Sequence, residues 1–212
     1  MRIVKEHDER KNEIIDTAAK LFATKGYEQC SVNDILNAIG IAKGTFYHYF
    51  KSKEEVLDAA IEKTSEQIAG KVSKVVTDAK LTPEEKILQV FLATRLEGEV
   101  EEVLISEMHK TENALMHQKT LVSIIDILTP ILTKIVKEGI EKGVFSCDYP
   151  EQYMQIFLAS TITLLDDGIF QVEPEKKQKI FEAMITMLET MLHVKEGRFL
   201  EITGQYWNFA KK

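Results

Sequence analysis

The chain of 212 residues sets 27 Lys and Arg against 34 Asp and Glu, a net charge of −7, and is 44% apolar and 29% charged, the composition of a globular protein. No apolar run approaches the roughly 18 residues of a membrane span, and the N-terminal MRIVKEHDERKNE lacks a signal-peptide core. Cys30 and Cys147 are too few for a disulfide framework and have no metal-ligand partner at the usual spacing, so two reduced thiols in a cytoplasmic protein with no membrane partner are expected.

The first helix is predicted from about Asp8 to Thr24, with Ile14, Ile15, Ala18, Leu21 and Phe22 as its buried stripe and Lys25-Gly26-Tyr27 as its stop. Ser31 then caps a short second helix, with Asp34 near the positive end of its dipole. Val32, Ile35, Leu36 and Ile39 give that helix one apolar face, and Gly40 supplies the permissive backbone just past its end. A third helix opens near Ala42 and buries Phe46 and Phe50, while Lys43, Gly44, Thr45, Tyr47 and His48 occupy its other face. That face is small at its start, cationic, and rich in hydroxyl and aromatic donors, which suits a helix whose N-terminal end enters a DNA major groove. The pattern reads as a DNA-binding helix-turn-helix. Charge agrees in distribution: residues 1–53 hold nine Lys/Arg against seven Asp/Glu, whereas the rest hold 18 against 27. A modest positive balance at one end of an acidic chain implies local phosphate contact.

Over IIDTAAKLFATKGYEQCSVNDILNAIGIAKGTFYHYFKSKEEVL, from Ile14 to Leu57, the chain resembles the TetR family of bacterial transcriptional regulators, most specifically at GTFYHYFKSKEEVL. The remainder is similar only in length and helical character. The resemblance implies an all-α fold, with a three-helix DNA-binding domain at 1–52 and a larger helical effector-binding and dimerisation domain at 53–212. It implies a repressor that binds a palindromic double-stranded DNA operator as a homodimer and is released by a small-molecule effector, with no cofactor. Lys43 would reach a guanine edge or a phosphate, Gly44 would let the backbone approach the DNA, and Thr45 would offer its hydroxyl and methyl to base edges. Tyr47 and His48 are candidate phosphate or groove contacts, and Tyr49 is either a phosphate contact or partly core. Ser31 and Asn33 join them by resemblance, and Lys53 with the amides of the fourth helix makes a phosphate clamp.

The fourth helix starts at Ser52, with a capping box to Glu55, and continues toward Val76. Thr82-Pro83-Glu84-Glu85 starts another, and further helices are predicted at about 83–96, 99–110, 112–142, 150–169 and 174–194, with Pro130 expected to kink the long one. The helices at 150–169 and 174–194 are apolar around much of their circumference. They predict a dimer interface of Met154, Phe157, Leu158, Ile162, Leu165, Phe181, Met184, Ile185, Leu188 and Met191. The effector cavity would be lined by Phe91, Met108, Met116, Met154 and Phe157, with His109, His117, Glu97 and Glu99 as polar anchors. No catalytic residue and no metal ligand is expected. The adjacent carboxylates Asp166-Asp167 and Glu101-Glu102 point about 100° apart on a helix, and the chain has no Gly-rich phosphate loop, GxSxG or HExxH. A rival reading, a helical module docking protein through the third helix, would need an apolar exposed face there.

Overall fold

The computed structural model describes residues 7–94 and 108–206. The elements are α1 (His7–Lys25), α2 (Val32–Ile39), α3 (Lys43–Tyr49), α4 (Lys53–Thr77) and α5 (Pro83–Thr94), then a 3₁₀ turn (Thr111–Asn113), α6 (Ala114–Glu141), α7 (Pro150–Leu164), α8 (Pro174–Met191) and α9 (Arg198–Tyr206). Among the described residues there is no strand, and the fold is all-α. The helix expected at 99–110 falls almost wholly outside the described residues, as do Glu97, Glu99, Trp207 and Phe209. No helix among the described residues is long and apolar enough to cross a membrane.

Two compact units form, one from residues up to Glu66 with 96–123, the other from 67–95 with 124–212. The first unit closes on Ile14, Ala18, Phe22, Ile35, Phe46 and Val56, none of which has any exposed surface. Burying each of the larger side chains contributes about 2–3 kcal/mol. Leu115 and Met116, at the start of α6, complete this core. The second unit is built on Leu132, Ile135, Val136, Met154, Leu158, Leu188, Leu192 and Phe199, all fully buried.

Local chemistry accounts for the helix ends. Ser31 Oγ accepts the Asp34 amide at 3.2 Å while the Asp34 carboxylate accepts the Ser31 amide at 2.8 Å, a reciprocal capping box. Gly40, at φ 75°, ends α2 in the left-handed conformation, its amide on the Leu36 carbonyl. Thr82 and Glu85 cap α5 in the same reciprocal way. Helix α7 stops at Leu164, short of the expected 169, because the Asp166 carboxylate takes the Gly168 amide at 2.7 Å and folds the chain into a turn. Helix α6 runs uninterrupted through Pro130; the Thr129 and Thr133 hydroxyls flanking it each bond a carbonyl one turn back, both at 2.7 Å. Beyond Gly197 the chain folds as α9, whose first amides, of Gly197 and Phe199, are both accepted by the buried carboxylate of Glu189 at 2.8 Å.

That last helix corrects one expectation. Of the ten residues assigned to a subunit interface, Met154, Phe157, Leu158, Met184, Ile185 and Leu188 are buried in the second unit's own core. Much of the apolar circumference of α7 and α8 is covered from within the chain, since the two pair with each other and α9 lies against both α5 and α8. Ile162, Leu165, Phe181 and Met191 are half-buried around that core. The apolar side chains left exposed here are instead Ile156, Leu164, Ile169 and Phe170.

Candidate nucleic-acid interface

Helix α3 has two unlike sides. Phe46 is fully buried and Phe50, at its C-cap, is 3% exposed, so α3 is anchored on the first unit's core. On the other side Lys43, Gly44, Tyr47 and His48 are exposed, and Thr45 and Tyr49 are half-buried. The Lys43 ammonium sits 5.9 Å from the centre of the Tyr47 ring. A methyl group added at Gly44 would meet nothing within 4 Å, so no neighbouring side chain explains a glycine there.

Tyr49 packs on His7 of α1 at 4.8 Å and on His48 at 5.0 Å between ring centres, which gives it a packing role beside any contact it makes outward. His7 also meets His48 edge-on at 5.9 Å. Sequence reasoning missed His7, which stands some forty positions from the helix it touches and has no local pattern to mark it.

At the start of α2, Ser31 and Asn33 are exposed. The Ser31 hydroxyl is engaged in the cap, donating to Asp34 at 2.6 Å. The Lys25 ammonium, 2.6 Å from Asp34, together with Ser31, holds the Asp34 carboxyl well below the usual carboxylate range. Lys53 turns inward: its ammonium donates to the Tyr27 carbonyl at 2.6 Å and lies 4.1 Å from the centre of the Tyr27 ring. Its first role in this fold is to hold the α1–α2 loop.

That loop is clasped from a second direction. The Tyr27 amide donates to Asn113 Oδ1 at 2.6 Å, with Asn113 fully buried, and the Glu28 amide donates to the Glu112 carbonyl at 3.0 Å. One turn into α6, Lys119 bridges Glu54 at 2.8 Å and Asp58 at 2.6 Å on α4, and those hydrogen bonds raise its pKa. Ser65 and Ser123 share a hydrogen bond of 2.7 Å farther along the same pair of helices. The 3₁₀ turn and the start of α6 are therefore part of the framework that positions α2 and α3.

Of the residues expected to hold an effector, His109, Met116 and His117 belong to the first unit, Met116 packing on its core. Met108 is half-buried in the same unit. In the second unit Phe91 and Phe157 meet edge-on at 5.8 Å, and Met154 and Phe157 are closely packed core residues. Burial pushes the thiols of Cys30 and Cys147 up, so neither is a ready nucleophile near neutral pH.

The profile described as "Bacterial regulatory proteins, tetR family" matches residues 14–60, and "Tetracyclin repressor-like, C-terminal domain" matches 99–187. The HTH-type transcriptional repressor KstR2 of Mycolicibacterium smegmatis is 32% identical over 85 residues, 40% of this chain and only 41% of that protein. The fatty acid metabolism regulator protein of Bacillus subtilis is 29% identical over 133 residues, 62% of this chain and 68% of that one. Among solved structures, RolR in complex with resorcinol superposes with a TM-score of 0.64 at 20% identity, covering 93% of this chain and 94% of RolR.

Proposed function

We propose, for a chain that belongs to the tetR family of bacterial transcriptional regulators, that it represses transcription by inserting α3 into the major groove of an operator. The observation that carries this reading is the outer side of α3, where an unexplained glycine lies between Lys43 and the exposed Tyr47 and His48. A surface that docked protein would be apolar there. Lys43, Thr45, Tyr47 and His48 are the proposed contacts to bases and phosphates, with Asn33 and Ser31 at the flank and Lys53 and Tyr49 acting through the positions they hold. The repressor reading is supported by relatives so named, KstR2 among them.

Two copies of the chain would place two α3 helices on successive turns of DNA, so a palindromic operator is part of the proposal. The exposed Ile156, Leu164, Ile169 and Phe170, with the half-buried Ile162, Leu165, Phe181 and Met191, are the surface proposed to meet the second copy. A small-molecule effector is proposed to weaken operator binding; RolR, a neighbour in fold, holds resorcinol. In the second unit Phe91 is a half-buried aromatic such a ligand could reach. An effector that prefers the released state by about 100-fold supplies roughly 2.7 kcal/mol of coupling.

The test is a fluorescence-anisotropy titration of the DNA flanking the protein's own gene with wild type, Gly44→Ala and Lys43→Ala. Alanine at position 44 favours the helix by about 1 kcal/mol over glycine, so that variant folds at least as well. Its binding is nonetheless expected to collapse, because the added methyl stands where the DNA approaches. Lys43→Ala is expected to flatten the log–log salt dependence by about 0.9. Wild-type affinity and an unchanged salt slope in both variants would sink the proposal.

A further inference from the structure

His109 lies just ahead of the Thr111–Asn113 turn and His117 on the first turn of α6, and the turn folds their rings to 5.0 Å between centres. His117 is 8% exposed and His109 is half-buried. Their ring nitrogens lie within 4.8 Å of each other. The geometry points to a binding site for a divalent ion of the zinc class, held by His109 and His117, that braces the turn clasping the DNA-reading core. The bracing, though not the ion site itself, rests on the function proposed above.

Imidazole is the ligand that zinc, nickel and copper favour, whereas calcium and magnesium call for oxygen. Zinc–nitrogen bonds of about 2.0–2.1 Å in a tetrahedron place the two nitrogens about 3.4 Å apart, within reach of small ring rotations here. Both side chains are already held by the fold, so closing on an ion costs less rotamer freedom than it would for exposed histidines. The segment that such an ion would close carries Glu112 and Asn113, which hold the Glu28 and Tyr27 amides. Just beyond it, Lys119 bridges to α4. An ion pinned to both ends of the turn removes freedom from the piece of chain that fixes the entry to α2.

The full-length chain, stripped with a chelator, would be titrated with zinc against a chromophoric zinc indicator, and with cobalt while its visible absorption is followed. One ion per chain is expected, weakened roughly tenfold or more in His109→Gln and in His117→Gln. His193→Gln should bind as wild type does, since His193 is exposed and bonded to the Ser146 carbonyl. His109, being only half-buried, carries the decision if His117→Gln fails to fold by circular dichroism. Absence of binding by wild type, or undiminished binding by a folded His109→Gln, would overturn the site. With the ion site established in the absence of DNA, zinc should shift operator affinity in wild type and leave His109→Gln unmoved. An equal response of the two proteins would overturn the bracing alone, and an operator never bound would count against the DNA reading without touching the ion site.

Discussion

Asp34 concentrates three interactions on one half-buried carboxylate: the Lys25 ammonium, the Ser31 hydroxyl and the Ser31 amide. All of them favour the ionised form, so the folded chain binds this proton more weakly than the unfolded chain does. The stabilisation is complete above the unfolded carboxyl's pKa, about 3.9, and is lost as the pH falls toward the lowered folded value. Asp34→Asn should therefore be less stable than wild type at neutral pH, with the gap closing on acidification below about pH 4. Urea melts of the two proteins at a series of pH values measure it, and parallel curves throughout would refute it. Ser31→Ala removes the other half of the cap and should cost about 1 kcal/mol at neutral pH. Asn113 is a different kind of residue, fully buried, with its side-chain oxygen on a main-chain amide 86 positions away. Asn113→Ala strands the Tyr27 amide and should destabilise the first unit by about 1–3 kcal/mol. Amide exchange should localise the loss to the α1–α2 loop, and uniform exchange changes would count against it.

Among the elements, α6 bears the tightest single constraint. A Cβ at Gly139 would meet the Phe145 ring at 2.1 Å, because the chain doubles back after Gly143 and lays Phe145 across the helix. Gly139→Ala should lower stability by about 1–3 kcal/mol despite alanine's better helix propensity, and pairing it with Phe145→Ala should recover part of the strain term in a double-mutant cycle. Helix ends were legible in the sequence wherever the signal is short-range: the starts at Ser31 with Asp34 and Thr82 with Glu85, and the stop at Gly40 after Ile39. The amphipathic faces of α1, α2 and α3 were equally readable, since 3.6-residue periodicity needs only one helix to be visible. Contacts that close over long separations left no such trace. Nothing near Tyr27 announces Asn113, nothing near His48 announces His7, and nothing near Lys53 announces the Tyr27 carbonyl that its ammonium holds. The apolar excess of α7 and α8 carried the expectation of a subunit interface; within the chain the two pair with each other, and α8 also packs on α9, whose sequence after Gly197 carries too weak a pattern to foresee.

For the molecule as a whole, the surface left over by that cover sets the prediction about assembly. Ile156 and Phe170 are 53% and 45% exposed, far more than large apolar side chains next to a core usually are. Ile156→Glu with Phe170→Glu should convert a dimer to a monomer in sedimentation equilibrium while leaving helix content unchanged, because neither side chain belongs to the core. A dimer that survived both changes would place the contact elsewhere. The hydrogen bond from Tyr27 to Asn113 has a consequence for engineering. Helix-turn-helix segments look like detachable cassettes, and exchanging the first sixty-odd residues between regulators is the obvious way to give one sensor another's operator. In this chain the cassette is discontinuous: Leu115 and Met116 finish its core, and Glu112, Asn113 and Lys119 tie down its loop and its last helix. A graft cut after α4 would export a reading head with a bare amide and an open core, whereas one that also carries the segment around 109–123 would take its own foundation along.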